Sequence, residues 1–250
     1  MEVLQLKYPT YISTENKVQA GGHDDCIKIS GAFIEKIIPV YVREIEFYEE
    51  NKDVKELKGL IPTYSKHYLV DGKNAIQIEN ITFNYIHPCV LDIKICGQSW
   101  CDDTTAERLP GRQKLDLKTT TRTLNMRFSG MKLFDGHKTL SVDNLIYRVF
   151  NDRESLCELI RPFFDNIGEH KETIKSRYID QIVKIAEGIK TMKYSFYSSS
   201  LLFVYDWNTE KADCRWIDFS HYYNNTKNVT KYDDGVQKGM SNMIDIIKSL

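Results

Sequence analysis

The strongest constraint on this chain is a change of hydrophobic period along its length. Ile174, Tyr178, Ile182, Ile185, Ile189 and Met192 recur at spacings of four, four, three, four and three. That stripe is the core-facing side of an amphipathic helix. Val236, Met240, Met243 and Ile247 mark a second such helix at the end. The first third follows a different rule. Ile27 to Ile38 alternates loosely and predicts two short strands, and Lys66 to Val70 with Ala75 to Ile78 predicts a hairpin around Asp71-Gly72-Lys73-Asn74. Between them, Arg43 to Glu50 reads as a helix with Ile45 and Tyr48 on one face. Further on, Leu201 to Tyr205 and Cys214 to Phe219 read as strands joined by the polar turn 207–213. The first 18 residues are polar and weakly patterned, and Gln19-Ala-Gly-Gly-His23 reads as a flexible turn. The expected architecture is α+β and two-lobed. An N-lobe (1–80) holds a small antiparallel sheet and one helix, and a larger mixed C-lobe spans 81–250. A cleft between lobes is a common ligand site.

Charge and composition exclude several classes. The net charge is −1 over 250 residues, so no global field draws the chain to nucleic acid or membrane. The six cysteines (26, 89, 96, 101, 157 and 214) form no CxxC pair and lack histidines at zinc-finger spacing. Reduced, mostly buried thiols are expected. Met1 to Thr10 has no apolar core and no apolar run approaches the ~20 residues of a membrane span. A cytoplasmic or nuclear monomer, without membrane or nucleic-acid partners, is expected.

Three segments carry candidate chemistry. In Pro88-Cys-Val-Leu-Asp92-Ile-Lys94-Ile-Cys96-Gly97, residues two apart on a strand share a face. Asp92 and Lys94 point one way, and Leu91, Ile93 and Ile95 point into the core. The pair is either a strand-edge salt bridge or a carboxylate for hydroxyls beside an ammonium for phosphate. In Arg215-Trp-Ile-Asp218-Phe-Ser-His221, Asp218 ends a strand that carries Trp216 on the same face. It is either a turn former or a metal ligand. Asp218-Phe219-Ser220 is comparable to the Asp-Phe-Gly of protein kinases. The kinase Gly-rich loop, the His-Arg-Asp motif and the P-loop pattern are all missing from the sequence. The third segment, 108–127, holds six bases (Arg108, Arg112, Lys114, Lys118, Arg122 and Arg127) against one acid, Asp116. If helical, it stacks Lys114, Lys118 and Arg122 at i, i+4 and i+8. Like charges at that spacing cost roughly a few tenths of a kcal/mol per pair, which a dense anion would reverse. Threonines 119 to 121 add hydroxyls suited to phosphate. The alternative is a solvated basic face.

Together these segments resemble the inositol polyphosphate kinase family, which includes the multikinases and the hexakisphosphate kinases. The family signature PxxxDxKxG stands here as Pro88, Asp92 and Lys94, with Cys96 at the glycine position and Gly97 one place later. Its serine-leucine-leucine motif appears as Ser200-Leu201-Leu202, and its isoleucine-aspartate-phenylalanine motif as Ile217-Asp218-Phe219. The resemblance covers about 19–250. It implies a kinase-like fold with ATP and Mg2+ as cofactors. It implies that Lys36 reaches the ATP phosphates, that Glu44 is its helix partner, and that backbone at Glu79 and Ile81 binds adenine. Asp92 would take the ribose hydroxyls, Lys94 the transferring phosphate and the inositol substrate, and Asp218 the metal. His221 would meet a substrate phosphate. The basic segment, about 103–127, falls where the family inserts its inositol-phosphate-binding element, giving Lys114, Lys118 and Arg122 to the substrate.

Phosphoryl transfer asks a protein mainly for positioning and charge neutralisation. The expected activity is therefore an ATP-dependent kinase acting on inositol polyphosphates. Ser220-His221 after the metal motif resembles the multikinase and hexakisphosphate kinase branches. Hexakisphosphate giving a diphosphoinositol product is the favoured reaction, with ring-hydroxyl transfer to the trisphosphate in the same site. The alternatives are a multikinase acting only on ring hydroxyls, and an inactive inositol phosphate sensor. A nucleic-acid binder would interleave aromatics with the bases, and none occurs in 108–127.

Overall fold

The computed structural model describes residues 5, 7–14, 26–38, 42–101, 103–192, 194–224 and 235–250. The expected turn at 19–23 and part of the polar start lie outside the described residues. Strand β1 (Ile12–Ser13) comes first, and its partner lies far along the chain. β2 (Ile27–Ser30), β3 (Phe33–Ile38), β4 (Tyr64–Val70) and β5 (Lys73–Glu79) form a four-stranded antiparallel sheet in the order β2-β3-β5-β4. The β4–β5 hairpin closes in two residues, Asp71 (φ 49°) and Gly72 (φ 74°), because both central residues of this tight turn must be left-handed. Helix α1 (Arg43–Asn51) crosses from β3 toward β4. Its inner side buries Glu44, Ile45, Phe47 and Tyr48.

The second sheet has six strands in the order β1-β8-β7-β6-β10-β11. Its members are β6 (Pro88–Ile95), β7 (Met126–Phe134), β8 (Thr139–Val142), β10 (Ser199–Asp206) and β11 (Ala212–Ile217), with β1 on the edge. A small pair, β9 (Tyr194–Phe196) with β12 (Tyr222–Asn224), lies beside it. The structure corrects the expected division at one point. Ile12 and Ser13 pair with Val142 and Ser141, so they belong to the large sheet rather than to a lobe spanning 1–80.

Register decides what each face of the large sheet carries. Ile93 opposes Leu201, which opposes Trp216, and Leu91 opposes Phe203, which opposes Cys214. All six are 0% exposed. This apolar face packs against α4 (Arg153–Asp165), α5 (Lys171–Thr191) and α6 (Gly235–Ser249). Asp152 caps α4 in a reciprocal capping box with Ser155, which satisfies two otherwise orphaned amides. Tyr178 on α5 donates to the Val204 carbonyl (2.9 Å). α6 comes so close to the sheet that a Cβ on Gly239 would sit 2.4 Å from the Asn125 carbonyl oxygen, which requires glycine there.

The opposite face carries Asp92, Lys94, Ser200 and Arg127, which oppose one another in register (Lys94 with Ser200 and Arg127). The pairing of β6 with β7 slips between Asp92 and Ile93, leaving Ser129 as an extra residue. Bulges of this kind re-aim side chains and recur beside active sites.

Candidate active site

An aromatic knot fixes the two lobes at the point where the charged residues meet. Phe47 on α1 stacks on Phe219 with centroids 3.8 Å apart, and makes edge contacts with Phe196, Trp216 and Tyr222. Burying a ring of this size contributes about 2 kcal/mol or more. The knot places α1 against the end of β11, and therefore Glu44 beside Asp218.

Asp218 is the residue just past β11, with φ 66°. The expectation that it shares a face with Trp216 is overturned. The left-handed turn resets the alternation, so the carboxylate reaches Lys94, which stands on the sheet face opposite Trp216. Lys94 Nζ donates to Asp218 Oδ2. Lys36 Nζ donates to Asp218 Oδ1 (2.9 Å) and to Glu44 Oε1 (2.8 Å). Ser220 Oγ donates to Glu44 Oε2 (2.9 Å), and Glu44 itself is 1% exposed. Four residues from β3, α1, β6 and the end of β11 thus form one alternating chain of charge. Burial opposes ionisation of Asp218, but Lys36 and Lys94 outweigh it and hold the carboxyl well below the usual range. Burial likewise opposes the charge on Lys36, and Asp218 and Glu44 reverse that, raising its pKa.

Asp92 lies two residues before Lys94 on the same face and is buried. Burial raises its pKa, Lys94 pulls it down and Asp218 pushes it up. Its Oδ1 is buried without a hydrogen-bond partner among the described residues. Ser200 and Ser129 lie near enough to favour its charged form, and a buried oxygen without a full hydrogen bond suits an incoming hydroxyl donor. The link 80–87 between the sheets is pinned at both ends. Asn80 accepts from Thr82 and donates to Gly31, while Asp206 accepts from the Ile86 and His87 amides (2.9 and 2.7 Å). Glu79 and Ile81 sit at the start of this link. The Glu79 amide donates to Thr63 O (2.9 Å) and its carboxylate accepts from Thr63.

The basic segment differs from the expectation. α2 (Leu109–Lys118) stops at Thr119, whose ψ of 175° is extended, and α3 (Thr121–Leu124) follows as a separate short helix. Lys114 and Lys118 share the exposed side of α2, but Arg122 is not on that stripe. The three threonines are not phosphate donors either. Thr119 bonds Leu115 O and Thr121, and Thr120 bonds Met126 O (2.7 Å), so their hydroxyls close the break between the helices. Asp116 is 1% exposed and accepts from the Ser99 amide (2.9 Å), which ties α2 to the loop after β6.

That tie turns Arg112 inward, four residues before Asp116. Burial, Arg127 and Arg108 lower its pKa. His221 is also driven down, by burial first and then by Arg112, with Arg43 and Lys94 adding and Asp103 opposing. These surroundings favour the neutral His221 ring. Arg112 and Arg43, which both act on His221, were not among the expected site residues. The available signal was the lone acid of the segment, Asp116, which marks the buried side of α2. Arg127 is buried and donates to Cys96 Sγ (3.3 Å), so the cysteine at the glycine position holds a side-chain partner. All six cysteines are free, with four buried and Cys26 and Cys157 half-buried.

No helix among the described residues is long and apolar enough to cross a membrane. A family model described as inositol polyphosphate kinase matches residues 75–248. Human inositol hexakisphosphate kinase 3 is 25% identical over 209 residues, covering 70% of this chain and 51% of the relative. The rat inositol polyphosphate multikinase is 26% identical over 188 residues, covering 70% and 47%. The chain thus spans about half the length of these curated relatives. A fission yeast (Schizosaccharomyces pombe) multikinase is 25% identical over 212 residues, covering 76% of this chain and 78% of the relative. Among solved structures, the S. cerevisiae inositol phosphate multikinase Ipk2, crystallised with ADP and Mn2+, superposes with a TM-score of 0.73 at 20% identity, over 86% of this chain and 98% of the other. That likeness establishes the two-lobed α+β kinase-like fold. With the family model spanning most of the sequence and the fold agreeing, this chain belongs to the inositol polyphosphate kinase family.

Proposed function

We propose that this protein transfers the γ-phosphoryl group of ATP to an inositol polyphosphate. The observation that carries the reading is Asp218 gripped by Lys36 from one sheet and Lys94 from the other, with Glu44 behind. Two ammonium groups and a carboxylate that stays ionised are the parts needed to hold a polyphosphate with a divalent cation.

The residues fit such a cation in a particular way. Among the described residues there is no cluster of three or more acidic, histidine or cysteine side chains that could cage a metal alone. Mg2+ commonly takes one or two carboxylates and fills its remaining positions with phosphate oxygens and water. Asp218 supplies the protein ligand in this reading. When bound, the cation would neutralise charge on the β- and γ-phosphates.

The chain's own residues do the remainder. Lys36, braced by Glu44, holds the phosphates from above. Lys94 stands between nucleotide and acceptor and steadies charge on the group in flight. The orphaned Oδ1 of Asp92 accepts from a ribose hydroxyl. Since the Glu79 amide is spent on Thr63, adenine contacts fall to the Glu79 carbonyl and the Ile81 backbone. The acceptor oxygen bonds to the γ-phosphorus as the bond to the β–γ bridging oxygen breaks, releasing ADP. Arg112, His221 and the exposed Lys114 and Lys118 receive the other phosphates of the acceptor.

The favoured acceptor is a phosphate of inositol hexakisphosphate, giving a diphosphoinositol. A phosphate oxygen is already anionic and needs no base, and the cations around His221 suit a densely charged ring. A second reading rests on the neutral His221 ring. A neutral imidazole beside Lys94 can take the proton of a ring hydroxyl, which would favour the trisphosphate as acceptor. The test is incubation with Mg2+ and ATP, separately with each acceptor, resolving products by charge. A more anionic product from the hexakisphosphate must be a pyrophosphate. Product from the trisphosphate alone establishes the ring-hydroxyl reading. Tight binding of both without product overturns the kinase reading in favour of a sensor.

A further inference from the structure

Among the described residues, one anionic side chain stands where only cations are wanted. Asp103 lies on the turn after β6, among groups that converge on His221. Arg43, Arg112 and Lys94 are the cations acting on that ring, and Asp103 is the acid acting on it. Arg43 Nη2 donates to Asp103 Oδ2. Tyr223 OH donates to Asp103 Oδ1 (3.1 Å), and the Cys101 thiol donates to the same oxygen (2.8 Å). The Arg43 guanidinium also lies 4.9 Å over the Tyr223 ring. The carboxylate therefore collects hydrogen bonds from three donors, one on α1, one on β12 and one on its own turn, as a bound phosphate would.

Three features separate this pair from an ordinary interlobe tie. Arg43 precedes Glu44 on α1, so the helix that braces Lys36 also carries the guanidinium that pairs with Asp103. The pair is partly solvated, with 23% and 33% of the side chains exposed, and partly solvated ion pairs are weak. Finally, the turn is closed on itself. The Cys101 amide donates to Thr104 Oγ1 and the Thr104 amide to Cys101 O (2.9 Å each). The turn is further tied to β12, where the Asp103 amide donates to Tyr223 OH (3.1 Å), so only the Asp103 and Arg43 side chains need move to part the pair.

We propose that Asp103 occupies a substrate-phosphate position in the free protein, and that Arg43 is a substrate-binding cation which Asp103 releases when the substrate enters. The inference rests on reading the cleft as an inositol polyphosphate site. A phosphate monoester carries up to two charges and three acceptor oxygens, so it outcompetes a single carboxylate for Arg43. The gate favours rings that place a phosphate against Arg43 and penalises those that cannot repay its opening.

The test is a double-mutant cycle of Asp103→Asn and Arg43→Gln, read by steady-state kinetics with Mg-ATP and inositol hexakisphosphate. Asp103→Asn is expected to lower the KM for the inositol substrate about fivefold, with the KM for ATP held within about twofold. Arg43→Gln is expected to raise the inositol KM about tenfold, and Asp103→Asn should add nothing in that background. A raised or unchanged inositol KM in Asp103→Asn, or an unchanged one in Arg43→Gln, overturns the gate. Thermal melts accompany each variant, and Arg43→Lys replaces Arg43→Gln if the latter does not fold. A wild-type chain that phosphorylates nothing defeats the kinase reading alone. Calorimetric binding of inositol hexakisphosphate to the same proteins then reads the gate. Tighter binding by Asp103→Asn supports it, and equal, weaker or absent binding refutes it.

Discussion

Two charged regions make up the proposed site, and they are built on opposite principles. In the cluster of Lys36, Glu44, Lys94 and Asp218, every charge meets an opposite one, and each residue comes from a different element locked by the aromatic knot. On α2, Lys114 and Lys118 stand exposed along one side of a ten-residue helix. The first region is preorganised, so in the proposed reading its geometry would cost little on nucleotide binding. The second is a solvated cation stripe, whose influence is long-ranged, additive and screened by salt. The contrast suits a ligand held rigidly at its reacting phosphate and more loosely at its remaining ones.

Asp218→Asn should have the largest effect, because it removes the proposed metal ligand and the common partner of both lysines. Its turnover is expected to fall about 10³-fold, with circular dichroism unchanged. Activity near wild type would dissolve the contrast altogether. Glu44→Gln should cost about 10²-fold in kcat/KM for ATP, since Lys36 loses its brace. If the loss falls on the inositol KM instead, the small-lobe pair belongs to the acceptor side. Lys114→Ala combined with Lys118→Ala should raise the inositol KM about fivefold and leave that of ATP nearly alone, and the difference should shrink with added salt. Equal effects on both substrates would move α2 out of the acceptor site. The smallest expected effect is on stability. The His221 pKa is driven below the ordinary value of about 6.5, so the unfolded chain binds this proton first. Stability from this group is present at neutral pH and lost as pH falls through 6.5 and below. His221→Gln should flatten that part of the pH–stability curve, and an unchanged curve would place the ring in solvent.

The contrast also separates what was legible in the sequence from what was not. The long helix, the final helix, the small-lobe hairpin and the alternation around Asp92 and Lys94 all follow from local period, and the structure contains them. The cluster drew on a family resemblance for the roles of Lys36, Glu44 and Asp218. The basic segment was legible as charge but not as shape. Periodicity offered one stripe through Lys114, Lys118 and Arg122. Thr119 and Thr120 instead spend their hydroxyls on Leu115 and Met126 and break the helix. Arg112 and Arg43 escaped notice because a half-buried arginine and a solvated one look alike until their neighbours are known.

Sequence alone determined the faces of β6, the amphipathic helices, the two-lobed order and the excess of cations in 108–127. Each depends on neighbours a few residues apart, which periodicity reads directly. Tertiary structure decided where Asp218 points, because one left-handed residue after β11 moves it to the face opposite Trp216. It also decided that Ile12–Ser13 joins the large sheet, and that Asp103, some 60 residues from Arg43, becomes its partner. Those outcomes depend on contacts between distant segments, whose free energy exists only once the chain has closed around its core.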